Sequence, residues 1–216
     1  MKKERLMIPC GEIALEGVLW IPEGVGPFPG VVVCHPHPLY GGNMNVNIVH
    51  EVCVACGERS IASLRFNFRG VGKSGGRHEN GIGEREDVKA ALSFLERRAE
   101  IDPHRLGLCG YSFGTMVGIP VADGDERVKA LAGISSFFVA PGLLQGFRKP
   151  KFFIHGDRDT FISAKQVREI VEGLPDPKTF EAIPGADHFW GGFERVVGTK
   201  VGDFFASALT NPKAMP

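Results

Sequence analysis

Short β-branched runs alternate with helix-patterned segments along nearly the whole chain. That alternation restricts the fold to a mostly parallel sheet with helices on both faces. Parallel strands cannot be joined by tight turns, so each pair needs a crossover, which a helix supplies. Residues 30–34 and 105–109 read as buried strands. Residues 61–68, 128–134, 151–154 and 178–183 read as further strands, and residues 13–21 alternate as part of an all-β start. Met44, Ile48, Val49, Val52 and Ala55 have helical spacing, with Gly57 as the stop. Val88, Ala91, Leu92, Leu95 and Ala99 line one face of a second helix that ends before Asp102-Pro103. A third helix is expected over 113–122. Ser163-Ala164-Lys165-Gln166 is a capping box opening a fourth, through Val167, Ile170 and Val171. Phe193, Val196, Val197, Val201, Phe204 and Phe205 line a closing helix. In such sheets, sites form beyond the carboxyl ends of the strands.

Gly110-Tyr111-Ser112-Phe113-Gly114 is G-x-S-x-G, placed between the strand 105–109 and the helix that follows. Glycines allow a sharp turn there, and the turn presents the Ser112 hydroxyl at the positive end of a helix. Gly72-Lys73-Ser74-Gly75-Gly76 matches the same pattern. Gly76, Asn80, Gly81 and Gly83 follow it, so it leads into a loop, and Ser112 is the better nucleophile. Gly72-Lys73-Ser74 also imitates a phosphate loop, but Asn67 stands where that motif needs glycine.

A serine nucleophile needs a base, and the base needs an orienter. His188 is the last histidine and follows the strand 178–183. Asp157 and Asp159 follow the strand 151–154, and either could orient it. The order serine, acid, histidine is that of one large fold family.

His35-Pro36-His37-Pro38-Leu39-Tyr40-Gly41-Gly42, the segment 65–74, Gly110-Tyr111-Ser112-Phe113-Gly114, His155-Gly156-Asp157-Arg158-Asp159 and Asp187-His188 span nearly the whole chain. In that order they resemble the α/β-hydrolase superfamily, specifically small dienelactone-hydrolase-like and esterase-like serine hydrolases with an HPHP segment. The resemblance implies one domain over residues 1–216, an eight-stranded mostly parallel sheet and no sizeable cap. It implies a triad of Ser112, Asp159 and His188, with Asp157 structural or a partner of Arg158. The implied oxyanion hole is the Phe113 N–H plus a donor from the loop after the third strand. Pro36 and Pro38 lack an N–H, which leaves His37, Leu39 or Tyr40, with His37 the first choice. No cofactor or metal is required by that chemistry.

His35 and His37 could form a metal pair, but shaping the loop explains them better. Cys53-Val54-Ala55-Cys56 has redox spacing inside a helix pattern and reads as packing thiols, as do Cys34 and Cys109. Arg69 reads as a brace for the turn carrying Gly70 and Gly72, and Asp187 as a turn residue. Tyr40, Phe137, Phe189 and Trp190 are candidates for the substrate pocket, and the last two could equally be packing.

Lys+Arg is 25 and Asp+Glu is 25, a balance that argues against nucleic acid or an acidic membrane as the main partner. No apolar run approaches the roughly 20 residues of a membrane span. Leu6-Met7-Ile8 stops at Pro9, so no leader core is read, and the five scattered cysteines suggest reduced thiols; the expectation is a cytoplasmic protein. The Phe-rich closing helix is compatible with a homodimer face or with core packing. The expected activity is hydrolysis of a small acyl ester or thioester. A peptidase or lactone hydrolase, and a binding protein on a hydrolase fold, are the alternatives.

Overall fold

The computed structural model describes residues 1–210; the expected domain runs on into 211–216, which lie outside the described residues. Eight strands form one sheet: β1 (Lys2–Cys10), β2 (Ile13–Ile21), β3 (Phe28–Cys34), β4 (Ala62–Phe66), β5 (Ile101–Tyr111), β6 (Val128–Ile134), β7 (Lys151–Gly156) and β8 (Lys178–Ile183). Their order is β1-β2-β4-β3-β5-β6-β7-β8. The pairs β1–β2 and β2–β4 are antiparallel and all the others parallel. The helices are α1 (Asn47–Glu58), α2 (Glu84–Glu96), α3 (Phe113–Gly124), α4 (Ala164–Glu172) and α5 (Glu194–Thr210).

Successive strand residues point to opposite faces, and both faces are apolar. Val32 on β3 packs in one cluster with Val88 and Leu92 of α2, Val117 of α3 and Val167 of α4. Val31 and Val33 pack in the other, with Ile48 and Val52 of α1 and Val197, Val201 and Phe205 of α5. The chain leaves β3 toward β4 but leaves β5 toward β6, in the opposite direction. The loops after β3 and β5 therefore part from one another and open a crevice at the carboxyl edge.

The segment 2–10 was not singled out from sequence, because its first half is charged and of its apolar residues only Leu6, Ile8 and Cys10 turn inward. The strand expected at 61–68 ends at Phe66, since the Phe68 N–H is taken by His35 Nε2 at 3.0 Å rather than by a neighbouring strand. The first helix starts at Asn47 and passes through Gly57 to Glu58. The buried face of α5 is also rotated from the expected one: Val196 is exposed, Phe193 and Phe204 half-buried, while Gly198 and Gly202 face inward. A Cβ at Gly198 would stand 2.8 Å from the Glu51 carbonyl oxygen, so these glycines let α1 and α5 approach closely. Phe205 is fully buried against Gly107 of β5, within the chain's own core. No helix among the described residues is long and apolar enough to cross a membrane.

Candidate active site

Ser112 sits between β5 and α3 with φ 52° and ψ −113°, a conformation that side-chain-bearing residues rarely adopt. Its N–H donates to the Ile134 carbonyl at 2.9 Å, and its carbonyl accepts from Thr115 N–H at 2.8 Å and Thr115 Oγ1 at 2.6 Å. The flanking glycines are required by close approach. A Cβ at Gly110 would lie 2.6 Å from the Gly114 backbone, and one at Gly114 would lie 2.4 Å from the Cys34 carbonyl oxygen.

The Ser112 hydroxyl lies 3.0 Å from His188 Nε2, placed to donate to it. His188 Nδ1 lies 2.7 Å from Asp159 Oδ2. Three loops meet to make this line, after β5, β7 and β8. Tyr111 ties the first to the third by donating its hydroxyl to the His188 carbonyl at 2.8 Å. Burial raises the Tyr111 phenol, and the charges of Asp159 and Asp187 raise it further, so it stays a donor.

The Asp159 side chain is fully buried, yet its carboxyl stays charged. Burial alone would raise its pKa. Hydrogen bonds from His155, His188 and the Ile162 N–H outweigh that and hold it well below the usual carboxylate range. Oδ1 accepts from the Phe161 and Ile162 N–H groups, each at 2.9 Å. Oδ2 accepts from His188 and from His155 Nε2 at 3.2 Å, and that nitrogen also lies 3.0 Å from the Ile162 carbonyl. Two acceptors on Nε2 place the proton there, so His155 is a second imidazole donor to Asp159. His155 was read from sequence only as part of a family segment; its role depends on a fold-back of the loop that no spacing reveals.

Asp157 instead accepts from Gly185 N–H at 2.7 Å, pinning the β7 loop to the β8 loop, and makes no ion pair with Arg158 among the described residues. Asp187 is a turn residue, accepting from Phe189 and Trp190 N–H. Ser74 is nine-tenths buried, donates to the Asn67 carbonyl at 2.7 Å and accepts from Glu16 N–H at 2.9 Å, so it is a structural clasp. Arg69 donates to buried Asp87 from its N–H, Nε and Nη2, and to Glu79 from Nη1, bracing the loop after β4. A cavity of about 490 Å³ lined by Cys10, Arg69, Glu86, Lys89 and Arg97 includes none of Ser112, Asp159 and His188.

Phe113 is the first residue of α3, where an N–H has no partner within the helix. Of the three donors expected after β3, two are committed: Leu39 N–H to His37 Nδ1 at 3.2 Å, and Tyr40 N–H to the His37 carbonyl at 3.1 Å. His37 N–H is left, and the His37 ring packs 4.8 Å from the Phe113 ring. Burial, and then neighbouring His78, lower the pKa of the His37 imidazole.

His35 holds this loop in place. Its Nδ1 donates to the Pro36 carbonyl at 2.7 Å while Nε2 accepts from Phe68 N–H. Burial lowers its pKa to about 4, against the opposing pull of the Pro36 bond. Below the ordinary histidine value of about 6.5 the unfolded chain binds a proton that the native ring refuses, until about pH 4. Stability from His35 is therefore present above that window and lost as pH falls through it, by on the order of 3 kcal/mol. The urea midpoint should fall between about pH 7 and about pH 4.5, and fall less in His35→Gln; equal slopes in the two proteins would contradict this.

Of the pocket candidates, Tyr40 is exposed on the short 3₁₀ turn Pro38–Tyr40, its ring 4.8 Å from that of His37. Phe137 is exposed, its N–H bonded to Thr115 Oγ1. Phe189 is exposed beside His188. Trp190 is a correction: it is fully buried, its Nε1 donating to Ser135 Oγ at 3.1 Å, so it packs under the site and lines no pocket. Phe161, which sequence reading missed, is exposed with its ring 5.1 Å from that of His188.

The sequence model of the dienelactone hydrolase family matches residues 77–193. An α/β serine hydrolase homologue from Coxiella burnetii superposes with a TM-score of 0.84 at 33% identity, over 94% of this chain and 97% of that one. An uncharacterised protein of Rickettsia prowazekii is 33% identical over 177 residues, 75% of this chain and 72% of its own. A thiohydrolase of Arthrinium phaeospermum is 30% identical over 139 residues, 60% of this chain and 43% of its own.

Proposed function

The chain belongs to the dienelactone hydrolase family of α/β serine hydrolases, and from that premise we propose that it hydrolyses small carboxylic esters or thioesters through an acyl-enzyme on Ser112. The observation that carries this reading is the unbroken line from Ser112 Oγ through His188 to Asp159, at 3.0 and 2.7 Å. His188 Nε2 takes the Ser112 proton as Oγ attacks the substrate carbonyl, then gives it to the leaving group. A water repeats the sequence in reverse and releases the acid. Asp159, its carboxyl held well below the usual carboxylate range, fixes the tautomer with the proton on Nδ1 and stabilises the imidazolium. The N–H groups of Phe113 and His37 receive the oxyanion, a contribution of about 10²–10³ in rate per donor.

Residues 135–150 between β6 and β7 are too few for a cap domain, and the exposed ring of Phe137 lies on that segment. An open site of this kind suits small soluble acyl compounds. Thioesters share the reading because the chain resembles a thiohydrolase over part of its length. Peptide and lactone bonds are open to the same triad, and a substrate panel separates them.

A fluorophosphonate probe, followed by peptide mass spectrometry, tests the reading without a known substrate. An adduct on Ser112, lost in His188→Ala, is the expected result. An adduct on Ser74, or none on folded protein, would overturn it and leave a hydrolase fold used for binding.

A further inference from the structure

Phe161 and Phe189 have relative exposures of 68% and 65%, beside a base that is otherwise enclosed. Their rings lie 5.1 and 5.6 Å from the His188 ring and 5.5 Å from each other, edge to face. Leaving a phenylalanine in water forgoes the gain that burying its ring would bring. Both are nevertheless fixed there by the same device. Asp159 Oδ1 accepts from the Phe161 N–H, and Asp187 Oδ1 accepts from the Phe189 N–H, each two residues on at 2.9 Å. The next residue after each, Ile162 and Trp190, is bonded to the same oxygen, so the backbone that carries each ring is held by two bonds.

Position decides what these rings meet. The atom that accepts the proton from His188 Nε2 must lie against that nitrogen, and the group attached to it must then pass over the neighbouring surface. The oxyanion donors, Phe113 and His37, belong to the other wall, which Tyr40 and His78 continue. We propose that Phe161 and Phe189 form a shelf for the leaving group, and that the enzyme prefers esters of phenols over esters of aliphatic alcohols. This rests on the ester-hydrolase reading above. In the acylation step the Ser112 Oγ–acyl bond forms, the acyl–oxygen bond to the aryl group breaks, and the departing phenolate oxygen receives the proton held by His188. An edge-to-face pair of rings presents a face and an edge to a third, flat group, an arrangement that aromatic pairs favour and alkyl chains do not exploit.

The test compares kcat/KM for phenyl acetate with that for hexafluoroisopropyl acetate, whose alcohol is of similar acidity but not aromatic. Wild type is expected to favour the phenyl ester. In Phe161→Leu/Phe189→Leu, which keeps apolar bulk, and in the double alanine variant, that ratio is expected to fall by about tenfold. Labelling of Ser112 by a methyl fluorophosphonate is measured on every variant. Labelling intact with the ratio unchanged would overturn the shelf and leave the ester-hydrolase reading standing. Labelling lost only in the variants would make the rings structural and also overturn it. Failure of wild type to label would sink the ester-hydrolase reading itself.

Discussion

Ser112→Ala is expected to lower kcat for a small ester by on the order of 10⁴–10⁶, with KM and the urea midpoint little changed. Ser74→Ala is expected to do the reverse. The two serines share a five-residue pattern, and the difference lies in what their hydroxyls are bonded to. Ser112 Oγ has an imidazole nitrogen at 3.0 Å, and no backbone group competes for it among the described residues. Ser74 Oγ bridges the Asn67 carbonyl and the Glu16 N–H, joining the loop after β4 to β2. Removing it leaves two backbone groups short of a partner in a buried turn, a loss of about 1–3 kcal/mol per unsatisfied group. Steady-state kinetics and urea unfolding on the two variants separate the roles. A Ser74→Ala enzyme slowed a thousandfold, or a Ser112→Ala enzyme still active, would reverse the assignment.

The context rule for the serine was legible because it is local: a strand, a tight turn and a helix occupy consecutive residues. The sheet was legible for a related reason, since β3, residues 106–111 of β5, and β6 are largely apolar on both faces and no other arrangement hides them. What escaped the sequence depends on how a loop folds back. Phe189 and Trp190 are neighbours of similar character, yet one is exposed and the other fully buried. The division follows from a positive φ of 62° at Trp190 and a bond to Ser135, fifty-five positions away in the chain. Phe161 and the role of His155, itself a β7 residue, escaped likewise, because both depend on the turn that Asp159 organises. Strand β1 was missed for a different reason. It is an edge strand paired on one side only, so half its length carries no apolar signal.

Asp159→Asn is expected to cost about 10⁴ in kcat, more than the loss of one charge in a polar site would suggest. The reason lies in the donors around the carboxylate. Oδ1 accepts two backbone N–H groups and Oδ2 accepts N–H groups from His188 and His155. An asparagine has one oxygen. If that oxygen keeps the backbone pair, the amide NH₂ faces two imidazole N–H donors, and His188 must move its proton to Nε2 to accept from it. His188 then cannot take the proton from Ser112. If the amide flips, it retains the tautomer but sets its NH₂ against the Phe161 and Ile162 N–H groups, opening the turn that places the triad. Either way the relay is lost while the side chain remains nearly isosteric. Asp157→Asn is the matched control: its oxygen accepts a single N–H, from Gly185, and an amide oxygen can do the same. The rate of fluorophosphonate labelling, which reports the nucleophilicity of Ser112 directly, should fall steeply in Asp159→Asn and stay near wild type in Asp157→Asn. Comparable rates in the two variants would show that Asp159 does not orient the base.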